Sequence, residues 1–278
     1  MLLNATATNW TSIPWEFARD FQAELFRYFL FAGTTFLAFY VIGKKFFTRF
    51  KIQQKFPLSK QMWRELKYSL LSLVIFALNG VFVITCYKHG HTQLYMDIHA
   101  HSWGYFVLSI LIFIVAHDFY FYWTHRFMHW KKIYPYVHKT HHLSHDPTPW
   151  AAYAFHPLEA VIQAGIFPIL AFTVPVHPLA ILAWGLYQAG LNVMGHSGFE
   201  LFPSGFTTGK ISRWHNSSTH HNMHHKYATG NYGLYFNFWD RVMGTNHVKY
   251  TETFEQVKER AKNFKTDDTA KTEPVYQS

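Results

Sequence analysis

Three short histidine clusters stand out in this chain: His125-Arg-Phe-Met-His129, His138-Lys-Thr-His141-His142 and His221-Asn-Met-His224-His225. Residues three and four apart share a helix face, so each cluster is expected to aim two or three imidazoles in one direction and act as a multidentate ligand. Histidine is abundant here, with 20 in 278 residues. Even so, His-x-x-His-His should arise by chance only about 0.1 times in such a chain, yet it occurs twice. One zinc ion needs about four ligands; the clusters offer twice that, so two metal ions are the economical reading. Imidazole suits Zn, Cu, Fe and Ni alike, and ligand type alone does not choose among them. Glu-x-x-His, the mark of soluble carboxylate di-iron bundles, and His-Glu-x-x-His, the zinc peptidase motif, are both missing from the sequence. The lone cysteine, Cys86, excludes an internal disulfide and any cysteine-rich metal site.

Such clusters need a scaffold, and composition says which kind. Aromatic residues make up 20% of the chain and charged residues only 15%, the balance of a protein solvated by lipid. The mean hydropathy of -0.07 hides this, because apolar runs alternate with polar, histidine-rich segments. Runs near Leu25–Gly43, Leu66–Thr85 and Gly104–Trp123 each approach the roughly 20 residues that cross a bilayer as helix. Leu158–Val174 and Pro178–Gly195, joined by a turn at Pro175-Val176-His177-Pro178, read as a helical hairpin that either spans or re-enters. The expected fold is therefore all-α: a polytopic membrane protein with about three spanning helices, this hairpin, and a histidine-rich helical cap. Residues 1–257 are expected to form one domain, with the catalytic histidine region at about 117–247 and a polar tail at 258–278. No cleavable signal peptide is evident.

Lys44, Lys45, Arg49, Lys51, Lys55, Lys60, Arg64 and Lys67 crowd the first loop, whereas the second offers Lys88. Basic loops stay on the cytoplasmic side, so the crossings place all three histidine clusters there, and His89, His91, His99 and His101 opposite. The net charge of +9 belongs on this reading to a membrane surface and not to nucleic acid. Asn4 and Asn9 begin glycosylation-type tripeptides on the non-cytoplasmic side.

The chain also resembles a known family, the fatty acid hydroxylase and sterol desaturase superfamily of integral membrane di-iron oxidases. The resemblance runs from Asp118-Phe-Tyr-Phe-Tyr-Trp-Thr-His125 through Pro147-Thr-Pro-Trp and Phe155-His156-Pro to Asn231-Tyr-Gly-Leu-Tyr-Phe-Asn-Phe-Trp-Asp240-Arg, covering about Gly104 to His247. The block ending in Trp239-Asp240-Arg241 looks most like the sterol C-5 desaturase branch. The resemblance implies that His125, His129, His138, His141, His142, His221, His224 and His225 bind two irons, with zinc a substitute after purification. It implies a ninth ligand from the hairpin, His196. Asn192 stands where some relatives carry a further histidine and is expected to act on a metal-bound water. O2, a lipid substrate and electrons from a separate haem protein or ferredoxin are implied as partners. The expected setting is the endoplasmic reticulum of a eukaryote or the inner membrane of a bacterium.

Other histidines are given lesser roles: His156 as a structural hydrogen-bonding group, His117 as a packing or cavity residue, and His145, His215, His220 and His247 as possible supports of ligand rings. Two rival functions are carried forward. Gly195-His-Ser197-Gly198 resembles the nucleophile motif of rhomboid intramembrane serine proteases, and a metal transporter or metal-binding protein would also use many histidines. The first leaves the His-x-x-His-His pair without a purpose; the second expects ionisable groups along a pathway near mid-membrane.

Overall fold

The computed structural model describes residues 12–264; Asn4 and Asn9 lie outside them. The described chain is helical, and its strand-like pairing is limited to isolated bridges. Three helices are long and apolar enough to cross a membrane: α1 (Ile13–Ile42), α2 (Ser59–Lys88) and α3 (Trp103–Met128). In their apolar windows only 17%, 33% and 28% of residues are buried inside the protein. Leu37, Leu78, Phe82, Leu111 and Val115 stand exposed instead, which is stable only against lipid. The chain is an integral membrane protein.

The sequence sets where these helices begin. Ser102 caps α3 by accepting from Tyr105 N at 3.2 Å. After the short second-cluster helix α4 (Lys139–His142), the hairpin comprises α5 (Pro157–Ala164), α6 (Ile166–Thr173) and α7 (Pro178–His196). Each arm opens on His-Pro. Proline at the first helical position loses no hydrogen bond, and the preceding His156 or His177 accepts from the backbone N of Leu158 or Leu179 through its ring. His156 is thus a helix cap. α8 (Ser218–Tyr227) carries the third cluster, capped by Ser217, and α9 (Tyr250–Asn263) closes the described chain. Residues 258–263, expected to begin the polar tail, belong to α9. Ala261 is buried, and Arg260 hydrogen-bonds the Lys51 carbonyl, so residues 258–263 are packed structure.

The two ends of the bundle are clearly distinct. At one, Lys88 of α2 pairs with Glu16 of α1. There the hairpin turn also bonds the loop between α2 and α3: Tyr95 N donates to Val176 O at 3.2 Å, and Val176 N to Gln93 O at 3.3 Å. The hairpin turn is thus tied to the loop that joins α2 to α3. At the other end the first loop joins the histidine clusters. Lys51, which sequence treats as a topological charge, is buried and 2.5 Å from Asp146. Asp146 also accepts from Asn222 of α8 at 3.2 Å.

Between these ends the Pro149–Tyr153 turn dips into the apolar core of Tyr28, Leu73, Ala160 and Val193. Backbone groups there have no water and must be satisfied by protein. Trp150 O accepts from Tyr28 Oη at 2.9 Å and Ser69 Oγ at 2.7 Å.

This two-ended arrangement can be tested by labelling in a Cys86→Ser background. Lys55→Cys and Lys262→Cys should react with an impermeant maleimide from one face and His99→Cys from the other; reaction of Lys55→Cys and His99→Cys from the same face would contradict it.

Candidate metal centre

Nine histidines converge at the end of the bundle that bears the first loop. His125, His129, His138, His142 and His224 form one set and His141, His196, His221 and His225 another; within each, the candidate ligand atoms lie within 4.8 Å of one another. These are the nine that the sequence singles out. Their division follows helical geometry. Pairs four apart (125/129, 138/142, 221/225) stay together, whereas residues three apart part company: His141 leaves His138 and His224 leaves His221. Adjacent residues sit about 100° apart around a helix, so His141 and His142 serve opposite sides of α4, as His224 and His225 do of α8.

What aims five of the rings is hydrogen bonding from their outer nitrogens, whereas Nδ1 of His141, His142 and His221 has no hydrogen-bond partner among the described residues. Nδ1 of His125 donates to Tyr232 O at 2.8 Å, of His224 to Gly230 O at 2.7 Å, of His225 to Ser144 O at 2.9 Å and of His196 to Asn192 O at 2.7 Å. A carbonyl can only accept, so Nδ1 carries the proton and Nε2 is a bare lone pair. His138 donates to the buried Glu159 carboxylate at 2.7 Å. The Nε2 atoms then face one another. His125 and His138 are 3.0 Å apart, His142 and His224 3.0 Å, His129 and His224 3.2 Å. In the other set His221 and His196 are 3.0 Å apart, His225 and His196 3.2 Å, His141 and His196 3.3 Å.

Lone pairs so close repel unless a cation lies among them. Ligands about 2.1 Å from a divalent metal are about 3.0 Å apart at right angles and about 3.4 Å apart in a tetrahedron. The observed spacings fit a metal ion in each set. Burial, reinforced by the neighbouring imidazoles, holds His138, His141, His142, His221, His224 and His225 well below the ordinary imidazole pKa. They are neutral at physiological pH, the form in which imidazole binds metal.

The supporting groups are largely ones the sequence reading missed. Asp240 accepts from Tyr232 N at 2.9 Å and Gly233 N at 2.7 Å, and Asp118 from Tyr235 N at 3.0 Å and Phe236 N at 3.1 Å. Together they fix the loop whose carbonyls hold His125 and His224. Glu159 was legible only as an acidic residue in the first turn of an apolar helix, a signal that an ordinary capping charge would also give. Of the four flanking histidines, His220 is buried, 3.4 Å from Asp240. His145 is exposed, His215 bonds Asn216 O and His247 stacks on Tyr227. His117 bonds Tyr235 Oη through Nδ1 at 2.7 Å. The Asn192 amide N–H donates to Ala152 O at 2.7 Å, and its backbone carbonyl accepts from His196 Nδ1 at 2.7 Å.

Comparison with known proteins now bears on this geometry. Residues 110–245 match the family described as fatty acid hydroxylase. Over that region the chain is similar to the fatty acid hydroxylase family. Lathosterol oxidase of Rattus norvegicus is 33% identical over 201 residues, covering 71% of this chain and 64% of the relative. The Delta(7)-sterol 5(6)-desaturase ERG3B of Gibberella zeae is 31% identical over 195 residues, covering 70% and 59%, and lathosterol oxidase of Homo sapiens 31% over 190, covering 68% and 62%. The chain thus spans less than two thirds of the length of these relatives. No solved structure matches it.

Partners of ligating histidines typically contribute 10- to 100-fold to metal affinity. Glu159→Ala should weaken metal binding by about that factor, measured by competition with a chelator, while His156→Ala, which removes only a helix cap, should leave metal affinity unchanged.

Proposed function

We propose that this chain is a membrane di-iron oxidase acting on a lipid C–H bond. The observation that carries the reading is the pair of inward-facing imidazole sets next to a membrane-embedded cavity. His125, His129, His138, His142 and His224 would hold one iron and His141, His196, His221 and His225 the other. When bound, the irons supply activation of O2, with two electrons from a separate donor, for removal of hydrogen from an unactivated carbon.

The chain's own residues do the positioning. Outer hydrogen bonds fix the rings of His125, His138, His196, His224 and His225 and keep their lone pairs inward. Phe155 packs against the His141 ring, with centroids 5.0 Å apart, and lines the cavity beneath. An apolar groove of about 830 Å³ on the membrane side, between α3 and α6, shares Ile166 with that cavity and would give a lipid a path that avoids water. The relatives named above are sterol enzymes, which favours a sterol or similarly apolar lipid.

The basic first loop lies at the histidine end, so the same charge rule that orients the helices puts the site on the cytoplasmic face. A eukaryotic chain would then face the cytosol from the endoplasmic reticulum. The protease reading fares poorly: Ser197 Oγ engages the backbone of Phe199, while His196 Nε2 faces other histidines. The transporter reading has no support from placement, since both candidate metal groups among the described residues lie at one end of the bundle and not along a path through it.

Iron-loaded protein should carry about two metal ions per chain and consume O2 when given reductant and lipid. His141→Ala combined with His224→Ala takes one ligand from each set and should abolish metal retention and O2 consumption together; His89→Ala should alter neither. A fully metallated, active double variant would refute the assignment.

A further inference from the structure

Beneath the histidines, among α1, α2, α3 and the hairpin, lies a cavity of about 110 Å³. Phe155 and Asn192 face it on the side of the histidines. Arg27 of α1, Asn79 of α2 and Gln188 of the hairpin bring polar groups to a wall that also holds His117, Tyr153 and Gln163 among apolar residues such as Phe76 and Trp184. An arginine midway along a spanning helix is costly, and such residues are retained where they pair or face a functional cavity. Arg27 does both. It is paired with Glu24, and a quarter of its side chain (25%) remains accessible. Its buried Nε–H has no hydrogen-bond partner among the described residues. Gly185 allows the approach, for a Cβ there would stand 3.1 Å from Arg27 Nη1. Gln188 accepts from Tyr153 Oη at 2.9 Å, which leaves its amide N–H groups for a ligand. Asn79 donates to Ala164 O at 3.1 Å, which leaves its amide oxygen.

We propose that this end of the cavity is a head-group subsite for a neutral lipid hydroxyl, an inference that rests on the oxidase reading only in taking the bound lipid to be the substrate. Glu24 already balances Arg27. A carboxylate would add an uncompensated charge in a poorly hydrated site, whereas a hydroxyl can accept from Arg27 or Gln188 and donate to Asn79 with no net charge. The rise along α7 from Gly185 to His196 is roughly 16 Å at about 1.5 Å per residue. A lipid anchored here therefore presents to the histidines a carbon that stands away from its hydroxyl.

The test is equilibrium binding of radiolabelled lipids to the full-length metal-loaded protein in detergent. The probes are hexadecanol and dihydrocholesterol, with hexadecane, cholestane and palmitate as controls. Wild type should bind at least one alcohol roughly tenfold more tightly than its parent hydrocarbon, and bind palmitate no better than hexadecane. Whichever alcohol shows the larger contrast identifies a chain or a ring system as the natural body. Gln188→Leu and Arg27→Met should reduce the contrast to under threefold while hydrocarbon binding is kept. Should Arg27→Met misfold because Glu24 is left unpaired, the Glu24→Gln/Arg27→Gln double variant replaces it. Equal binding of alcohol and hydrocarbon by wild type, or an undiminished contrast in Gln188→Leu, would overturn the subsite. A persistent contrast in a protein that oxidises no lipid would support the subsite and overturn the oxidase reading instead.

Discussion

Imidazole nitrogens without a proton repel when they face one another at hydrogen-bond distance, and at the histidine end of this bundle nine such rings are turned inward. That frustration organises much of what surrounds it. Burial keeps the rings neutral, carbonyl acceptors lock the outer protons of His125, His196, His224 and His225, and the Nε2 spacings of 3.0 to 3.3 Å fit what a bound divalent metal would impose. Because α4 and α8 each contribute to both sets, the two sets share their supporting helices.

The layers outside the rings are built to resist that repulsion. Asp118 and Asp240 hold the loop that supplies carbonyls to His125 and His224, and the Lys51–Asp146 pair ties the first loop to the second cluster and, through Asn222, to α8. Breaking a buried pair of this type by removing one partner commonly costs about 3 to 5 kcal/mol. Electrostatics at the membrane boundary thus stabilise the geometry that holds the rings. Deeper in, the Pro149–Tyr153 turn closes the space between cap and bundle while Tyr28 and Ser69 satisfy its backbone.

Sequence alone makes legible whatever repeats at short range. Helical spacing within the clusters and the length of the apolar runs point to eight of the histidines and the three spans, because both signals come from neighbouring residues; His196 lies outside the clusters and is implied only by the family resemblance. Contacts between distant segments stay hidden. Lys51 reads as one charge among several until its burial against Asp146 is seen, and Glu159 looks like a helix-start acid until His138 appears beside it. The bond from the Asn192 amide to the Ala152 carbonyl is equally hidden. The tie between the hairpin turn at Val176 and the loop at Gln93 is one that no local pattern encodes. The split of each His-x-x-His-His between two sets likewise needs the opposing helix to be in place.

The central claim is that two distinct, all-histidine iron sites lie side by side, one with five ligands and one with four. Mössbauer spectroscopy of the ferrous protein loaded with iron-57 tests it most directly. The account predicts two high-spin ferrous quadrupole doublets of equal area, reflecting the unequal ligand sets. A single doublet from one iron per chain, or iron bound in proportion to neither set when His224 and His221 are replaced in turn, would contradict it.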